Sequence, residues 1–216
     1  MLYFPHPLTA DQDGLLAIGG DLSLQRMLLA YRYGIFPWYN QDPIMWWWTH
    51  PRCIINVDEV KIAKSMRTYF NNDKYQISYN RRFEEVITAC ASIQRNDQMG
   101  TWINKDIIDS YVQLHELGYA HSVEVWDQTE LIGGLYGIGM GKIFFGESMY
   151  SKARDASKFG FISLCQKLKT LEVHTIDCQQ ETQHLKSLGA KTISKDAFWE
   201  MILHNQPVAD QKLKLN

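Results

Sequence analysis

The spacing of apolar residues changes near residue 120, and the change divides the chain into two kinds of predicted element. Before this point apolar residues recur every three or four positions, which is the period of a helix with one buried face. After it they alternate with polar residues through three consecutive segments, as in half-buried strands. The pattern therefore predicts helices first and a sheet afterwards.

Four segments in the first part predict amphipathic helices: LSLQRMLLAYRYG, EVKIAKSMRTYF, RRFEEVITACASI and NKDIIDSYVQLHELG. In the last of them, Asn104 is suited to cap the first turn and Gly118 to end the helix. Gly34 marks the end of the first segment in the same way. Each of these helices is expected to bury its apolar stripe.

The segment after the first helix is rich in aromatic residues and includes the sequence MWWWTHP. Pro37, Pro43 and Pro51 are expected to keep it out of regular structure. We place a domain boundary after Pro51. It separates a small N-terminal domain (1–51) from a second domain (52–216).

The second part of the chain begins with three predicted strands, HSVEVWD, ELIGGLYGIGMG and KIFFGESMYS, joined by short turns. A helix (DASKFGFISLCQKLKTL), a short strand (VHTIDCQ), a small helix (TQHLKSLGA) and a last element (KTISKDAFWEMI) follow. The polar tail QPVADQKLKLN is expected to fray. This order predicts an α+β fold, in which a small N-terminal domain precedes an acetyltransferase-like domain with a mostly antiparallel sheet. Such an outline does not by itself define a function.

Composition narrows the class of protein. The 216 residues carry a net charge of −2, 45% are hydrophobic and 21% are charged, which is typical of a globular chain. A charge near zero argues against non-specific binding of polyanions. The apolar runs are shorter than the roughly 18 to 20 residues of a membrane span, the N-terminus has no signal-peptide pattern, and the four cysteines form no CxxC pair. We therefore expect a cytoplasmic protein.

Three short motifs do not support the sites that they suggest at first sight. GIGMGK fits neither a dinucleotide-binding nor a phosphate-binding loop, because Ile143 stands where the latter needs Ser or Thr. GESMYS lacks the final glycine of a serine-nucleophile elbow. His174, Cys178 and His184 do not have the spacing of a metal site.

Two polar features interrupt apolar patterns and mark candidate chemistry. Glu147 follows KIFF on the face predicted to carry Phe145 and Met149. It is either a glutamate at the rim of the sheet or a carboxylate that awaits a cationic ligand. Asp177 and Gln179 are predicted to share one face of the strand VHTIDCQ. They are either a polar pair that ties down a loop or an acid/base with an orienting amide.

Ten segments together resemble one family. They are GLLAIGGDLS, YRYGIFPWY, DPIMWW, GTWI, LHELGYAHSVEVW, GGLYGI, FFGESMYS, ASKFGF, IDCQ and HLKSLGA. In this order they are similar to bacterial leucyl/phenylalanyl-tRNA–protein transferases. The resemblance implies an aminoacyltransferase that moves leucine or phenylalanine, and methionine less well, from aminoacyl-tRNA to the α-amino group of proteins that begin with Arg or Lys. This transfer marks them for N-degron degradation.

The resemblance also implies where the substrates lie. Asp177 is the implied catalytic aspartate, assisted by Gln179, and Glu147 is implied to bind the basic side chain of the acceptor protein. Trp38 and Trp102 are the implied aromatic walls around the tRNA 3′ adenosine. The implied aminoacyl pocket is lined by Leu135, Phe144, Met149, Phe161, Leu164 and Ile176.

Further implications concern cofactors and partners. The family uses no metal and no organic cofactor, and we expect a monomer that binds aminoacyl-tRNA and protein substrates but no membrane. Leu135 and Leu164 stand where the resemblance leads us to expect Met and Phe. The densest basic stretch either follows the tRNA acceptor stem or is a solvated surface, and it consists of Lys61, Lys64, Arg67, Lys74, Arg81 and Arg82.

Three other functions stay open at the level of the sequence. An acetyltransferase that uses acyl-CoA shares the outline, although SKARDASKFG lacks a glycine-rich pyrophosphate loop. A non-catalytic RNA- or peptide-binding module is the second. The third is an enzyme that transfers leucine to proteins beginning with Asp or Glu, which would need a basic residue where Glu147 stands.

The resemblance changes the interpretation of MWWWTHP. We expect this run to form a packed seam between the two domains and to support Trp38, with Trp48 exposed. For Asp177, we expect replacement by alanine to slow transfer with little loss of stability, because a buried unsatisfied carboxylate is removed.

Overall fold

A computed structural model describes residues 3–93 and 101–215. The helices in these ranges are α1 (Leu24–Arg32), α2 (Lys64–Asn71), α3 (Phe83–Ser92), α4 (Lys105–Glu116), α5 (Ala156–Thr170), α6 (Gln183–Leu188) and α7 (Lys195–Asn205). The helices predicted before residue 120 are confirmed. The cap of α4 is present as well, because the Ile107 N–H donates to Asn104 Oδ1 at 3.0 Å. Gly100, the first residue of GTWI, lies outside the described ranges.

The strands in the same ranges are β1 (Leu15–Ile18), β2 (Phe36–Pro37), β3 (Met45–Trp47), β4 (Arg52–Asn56), β5 (Gln76–Tyr79), β6 (Ala120–Asp127), β7 (Glu130–Met140), β8 (Ile143–Ser151), β9 (Thr175–Gln179) and β10 (Lys191–Ile193). A small antiparallel sheet has the order β1-β3-β2. A large sheet has the order β10-β4-β9-β8-β7-β6-β5, and all its neighbours are antiparallel except β8 and β9. The predicted α+β fold with a mostly antiparallel sheet is confirmed.

The aromatic segment after α1 contains β2 and β3, so the expectation that its prolines exclude regular structure is wrong. Pro37 is itself part of β2 and lies opposite Trp46 of β3. β2 has only two residues and lies at the edge of the small sheet. Proline is tolerated there because an edge strand does not need every N–H for pairing.

A crossover helix joins the two parallel strands. α5 leaves β8, packs across β6 and β7, and leads to β9. Gly160 lets this helix lie close to the sheet, because a Cβ at that position would come within 2.8 Å of Val125 Cγ2. An antiparallel run followed by one helix and a parallel strand is the acetyltransferase-like outline that the sequence predicts.

The large sheet is covered by a hydrophobic core on each face. The first core contains apolar residues of α1, α3, α4, α7 and the small sheet. The second core contains those of α2 and α5. Successive residues of a strand point to opposite faces, and accordingly Phe144 joins the second core while Phe145 joins the first. β8 therefore presents side chains to both layers.

The MWWW run packs into the first core. Trp46 and Trp48 are buried, with 1% and 0% of their surfaces exposed, so the expectation that Trp48 is exposed is wrong. The Trp48 ring lies 5.6 Å from that of Phe198 on α7, and its indole N–H donates to the Tyr33 carbonyl at 3.0 Å. This partner on α7 lies far along the chain, which is why the local pattern does not predict its burial.

The C-terminal tail is ordered against the sheet, which corrects the expectation that it frays. Leu213 and Leu215 are buried, with 8% and 0% of their surfaces exposed. Lys212 forms a β-bridge with Met140 at the end of β7, and the Gly141 N–H donates to the Gln211 carbonyl at 3.1 Å. The two apolar residues anchor a tail whose overall composition is polar.

Candidate functional site

The two central parallel strands part from each other in the middle of the large sheet, and a cavity opens between them. Their pairing runs from Ile143 opposite Thr175 to Phe145 opposite Asp177 and stops there. Beyond this point, Gly146 to Ser148 of β8, Cys178 and Gln179 at the end of β9, and Gln180 after it line the same cavity, which has a volume of about 540 Å³. Backbone groups that no longer pair across a sheet leave room for a ligand.

A β-bulge lies on each side of this opening. Between β7 and β8, Tyr136 is opposite Ser148 and Gly137 is opposite Gly146, so Glu147 is the extra residue. Between β4 and β9, Cys53 is opposite Gln179 and Ile54 is opposite Asp177, so Cys178 is the extra residue. A bulge changes the direction of the side chains that follow it, and both bulges occur where candidate polar residues stand.

Nearly all side chains that the sequence predicts for the site line this cavity. They are Trp38, Trp102, Leu135, Phe144, Glu147, Met149, Phe161, Leu164, Ile176 and Gln179. Asp177 is the exception. The cavity is thus one site assembled from the N-terminal segment, the loop before α4, three strands, α5 and α6.

One wall of the cavity is apolar and belongs to the second core. Leu135 and Phe144 come from β7 and β8, Phe161 and Leu164 from α5, and Ile176 from β9. All five are buried, with at most 3% of their surfaces exposed. Such a wall, formed by rigid elements and open to the cavity, suits an apolar side chain of a ligand.

Glu147 faces the first core, where two tyrosines hold its carboxyl group. Tyr31 on α1 donates to Glu147 Oε1 at 2.6 Å, and Tyr111 on α4 donates to Oε2 at 2.9 Å. The two phenol oxygens are also within hydrogen-bonding distance of each other. Burial raises the pKa of Glu147 to about 7, although both phenol hydrogen bonds act in the opposite direction.

Because of the bulge, Glu147 does not share one face of β8 with both Phe145 and Met149, as the sequence predicts. Strict alternation places it with both Phe145 and Met149, but it shares the side of Phe145, whose ring lies 5.4 Å from that of Tyr31. Met149 instead packs on the second core. The extra residue changes the alternation between the two positions, and it directs an acid toward the cavity and the tyrosines.

Asp177 lies behind the cavity rather than in its wall, in an ion pair with Arg52. The guanidinium of Arg52 contacts both carboxylate oxygens, with Nε 2.8 Å from Oδ1 and Nη2 2.6 Å from Oδ2. The side chains are 1% and 0% exposed. Arg52 also donates to the Gly34 carbonyl at 2.8 Å and lies 4.4 Å from the ring centroid of Phe198.

This arrangement corrects two expectations for Asp177. Its carboxylate is fully paired rather than unsatisfied, and it does not share a face with Gln179. Cys178 forms a bulge between the two residues, and Gln179 has a left-handed backbone with φ of 54°. The usual alternation of a strand therefore does not hold across Asp177, Cys178 and Gln179.

Gln179 is fixed through its backbone and leaves its side chain to the cavity. Its N–H donates to Asp177 Oδ1 at 3.0 Å, and its carbonyl accepts from Thr49 Oγ1 at 3.3 Å. Its side-chain Nε2 is buried and has no hydrogen-bond partner among the described residues. A buried amide without a partner is costly, so this one is available to a ligand.

His184 is a cavity residue that sequence reasoning assigned to a structural role. It lies on α6, which begins after the capping residue Thr182, and both residues line the cavity. Its Nε2 is buried and finds no hydrogen-bond partner in the described ranges. Burial, together with nearby Lys158, lowers the pKa of His184 and so favours its neutral form. The sequence between Gln179 and His184 contains no motif that would identify His184 as a cavity residue.

The two predicted adenosine-stacking tryptophans differ in exposure. Trp38 is half-buried at the mouth of the cavity, and Trp102 is 6% exposed. The ring of Trp38 meets that of Trp47 edge-on at 5.5 Å, and the Trp47 indole N–H donates to the Trp38 carbonyl at 2.7 Å. Trp47 therefore supports Trp38 from behind, and the face of Trp38 can accept a flat group.

The part of the chain that the structure describes lacks two other kinds of feature. His, Cys, Asp and Glu side chains nowhere in these ranges gather in a group of three or more that could hold a metal ion. The same ranges contain no helix of the length and apolarity that a membrane crossing requires.

Family models match most of the chain. The model for leucyl/phenylalanyl-tRNA protein transferase matches residues 54–203, and the model for its N-terminal domain matches residues 20–49. A leucyl/phenylalanyl-tRNA–protein transferase of Christiangramia forsetii is 51% identical over 203 residues, which cover 93% of this chain and 96% of that protein. One of Maridesulfovibrio salexigens is 50% identical over 201 residues, which cover 92% and 84%.

Two solved structures are similar to the chain at a low level. A protein of unknown function from Bacteroides thetaiotaomicron has a TM-score of 0.49 and 11% identity, covering 66% of this chain and 56% of that one. An aminoglycoside acetyltransferase from an uncultured soil sample has a TM-score of 0.37 and 9% identity, covering 66% and 94%. The protein is an aminoacyltransferase, as its near relatives by sequence show. The chain belongs to the leucyl/phenylalanyl-tRNA–protein transferase family.

Proposed function

We propose that the chain transfers leucine or phenylalanine, and methionine less well, from aminoacyl-tRNA to proteins that begin with Arg or Lys. The observation that carries this proposal is the carboxyl group of Glu147 in a cavity with a large apolar wall. An ionised carboxylate in so apolar a cavity is stabilised by a cationic partner. The side chain of an N-terminal Arg or Lys supplies it, whereas that of Asp or Glu would be repelled.

The apolar wall formed by Leu135, Phe144, Met149, Phe161, Leu164 and Ile176 is the proposed aminoacyl pocket. Leucine, phenylalanine and methionine have flexible or flat apolar side chains without branching at Cβ. A pocket built on β7, β8, β9 and α5 is rigid, and it offers no hydrogen-bond donor to hold a polar side chain. Selection among aminoacyl-tRNAs would therefore rest on shape and apolarity.

The reaction forms an amide bond and breaks an ester bond. The acceptor α-amine attacks the ester carbonyl, the C–N bond forms, and the tRNA ribose oxygen leaves with a proton. Because the amine has a pKa of about 7.7 to 8.0, removing its extra proton near pH 7 costs only about 1 kcal/mol. Positioning of the two substrates is then a larger task than proton removal.

Gln179 is the proposed catalytic residue, and Asp177 is proposed to act through it. The amide of Gln179 faces the cavity and can orient the attacking amine or donate to the ester oxygen as charge develops there. Asp177 does not reach the cavity, but its Oδ1 accepts from the Gln179 N–H. We therefore assign Asp177, fixed by Arg52, a positioning role in place of acid/base chemistry.

For the tRNA, we propose that Trp38 and Trp102 hold the 3′ adenosine at the mouth of the cavity. Both line the cavity and offer aromatic faces that bind any base without reading a sequence. The proposed path of the acceptor stem is a basic surface whose side chains are all exposed, and it consists of Lys61, Lys64, Arg67, Lys74, Arg81 and Arg82.

The remaining parts of the proposal concern the cell and the chain as a whole. Transfer of leucine or phenylalanine marks the acceptor protein for N-degron degradation. The chain works in the cytoplasm, as a monomer and without a cofactor. Its proposed domains are residues 1–51 and 52–216, and the cavity is lined by residues of both.

A transfer assay tests this function directly. The purified protein is incubated with radiolabelled Phe-tRNA or Leu-tRNA and peptides that begin with Arg, Lys, Asp or Ala and are otherwise identical. We expect label in the Arg and Lys peptides alone, because these provide a cation for Glu147. Transfer to the Asp peptide, or to none of the four, would refute the proposal.

A change at Trp38 tests the position of the tRNA. Replacement of Trp38 by alanine is expected to raise the KM for Phe-tRNA about 5- to 150-fold, since base stacking on an aromatic side chain contributes about 1 to 3 kcal/mol. The KM for the Arg peptide should change little. Trp126→Phe is the matched control, because Trp126 binds Ser78 outside the cavity. Equal effects of the two variants would contradict the assignment.

A further inference from the structure

The hydrogen-bond cluster of Tyr31, Glu147 and Tyr111 contains more contacts than its ionised form can fill with protons. Three contacts link its oxygens: Tyr31 to Oε1, Tyr111 to Oε2, and one phenol to the other. Each contact needs one proton. The two phenols supply two, and an ionised carboxylate supplies none.

A protonated Glu147 completes the cluster. The carboxyl O–H donates to one phenol, that phenol donates to the other, and the second phenol donates to the remaining carboxyl oxygen. Every O–H then donates once, in a closed ring. With an ionised carboxylate, two oxygens would face each other without a proton between them, which is costly in a buried site.

The groups around the cluster agree with a neutral acid in the empty site. Burial and the nearby Asp177 raise the pKa of Glu147, and the phenols and Arg52 lower it, with a result of about 7. The pKa values of Tyr31 and Tyr111 are raised well above 10 by burial and by Glu147, so neither phenol ionises near neutral pH. Tyr136 on β7 also lies against both phenols.

We propose that the Tyr31–Glu147–Tyr111 cluster holds a third proton while the acceptor site is empty, and that binding of the acceptor's cationic side chain expels this proton to solvent. The inference rests on the proposed function, because it takes the acceptor cation as the ligand of Glu147. Tyr31 and Tyr111 are then positioning residues: they store the acid in its neutral form and donate to the carboxylate once the cation has arrived. Acceptor affinity consequently depends on pH, even for a ligand whose own charge is constant.

A suitable probe is a peptide whose first residue is arginine without its α-amino group. It cannot be acylated, and its guanidinium group stays charged because its pKa exceeds about 12. Any dependence of its inhibition constant on pH therefore comes from the protein. We expect inhibition of Phe transfer to be about tenfold tighter at pH 8 than at pH 6, with a midpoint near pH 7.

Three variants test whether the pH dependence of the inhibition constant arises from the Tyr31–Glu147–Tyr111 cluster. Glu147→Gln should weaken inhibition and make it independent of pH. Tyr111→Phe opens the ring: the protonated cluster loses two of its three hydrogen bonds, whereas the ionised cluster loses one and no longer has two phenol oxygens without a proton between them, so the midpoint should fall below pH 7. His184→Asn, in the same cavity, should leave the midpoint unchanged, because the pKa of His184 is already lowered. Calorimetry in buffers of different ionisation enthalpy should show release of about half a proton at pH 7 by the unaltered protein, and none by Glu147→Gln.

The possible failures are distinct. If the protein does not transfer phenylalanine to Arg peptides, the proposed function fails. If transfer occurs and Glu147→Gln weakens inhibition, but the inhibition constant of the unaltered protein is the same at pH 6 and pH 8, then Glu147 binds the cation without storing a proton and the inference is overturned. An unchanged midpoint in a folded Tyr111→Phe protein would also overturn it.

Discussion

Replacement of Asp177 by alanine is expected to lower the free energy of unfolding by about 3 to 5 kcal/mol and to abolish most transfer activity. The change leaves the guanidinium of Arg52 buried, with only neutral partners such as the Gly34 carbonyl. It also removes the acceptor of the Gln179 N–H, which has a left-handed backbone. Equilibrium unfolding in urea measures the first effect, and the rate of Phe transfer below the unfolding transition measures the second.

Two controls distinguish the loss of stability caused by an unpaired buried charge from the loss caused by removing a side chain. The double variant Arg52→Leu with Asp177→Leu removes both charges, and it should be more stable than Asp177→Ala alone. Asp109→Ala breaks the exposed ion pair with Lys105 on α4. This change should cost at most about 0.5 kcal/mol, as is usual for a surface pair within a helix. A stability of Asp177→Ala within 1 kcal/mol of the unaltered protein would contradict the ion pair described above.

The polar anomalies at Glu147, Asp177 and Gln179 were visible in the sequence, but their orientations were not. A carboxylate in an apolar strand is conspicuous because strands alternate. Its direction depends on bulges at Glu147 and Cys178, which arise from pairing with other strands. The partner of Asp177 is 125 residues away in the chain, at the first residue of β4. No local pattern identifies such a partner.

Elements of the fold are likewise predictable where their signals lie within one segment, and not where they depend on distant parts of the chain. The long helix α4 was predictable because its cap, apolar stripe and terminal glycine lie within one segment. β4 has four buried residues out of five and therefore no alternation to mark it. β4 lies between β9 and β10 in the sheet. Its burial therefore depends on strands that come much later in the sequence. The polar composition of the tail predicts that it frays, but Leu213 and Leu215 are buried and anchor it.

Glu147→Gln is expected to remove the preference for a charged N-terminal side chain. Arginine and citrulline have nearly the same shape, but only arginine is charged. The unaltered protein should therefore use a peptide that begins with arginine at least about 30-fold better than one that begins with citrulline, as judged by kcat/KM. This ratio corresponds to the roughly 2 kcal/mol or more that is lost when one partner of a buried charge pair is removed.

In Glu147→Gln the ratio should fall close to one, chiefly because the KM for the arginine peptide rises, while the KM for Phe-tRNA stays the same. Gln keeps the size of the side chain and can still bind the two phenols, so the fold should survive. Trp38→Ala provides the opposite pattern, with a raised KM for tRNA and an intact preference for arginine. A Glu147→Gln protein that keeps its preference for arginine over citrulline would show that the acceptor cation does not bind at Glu147.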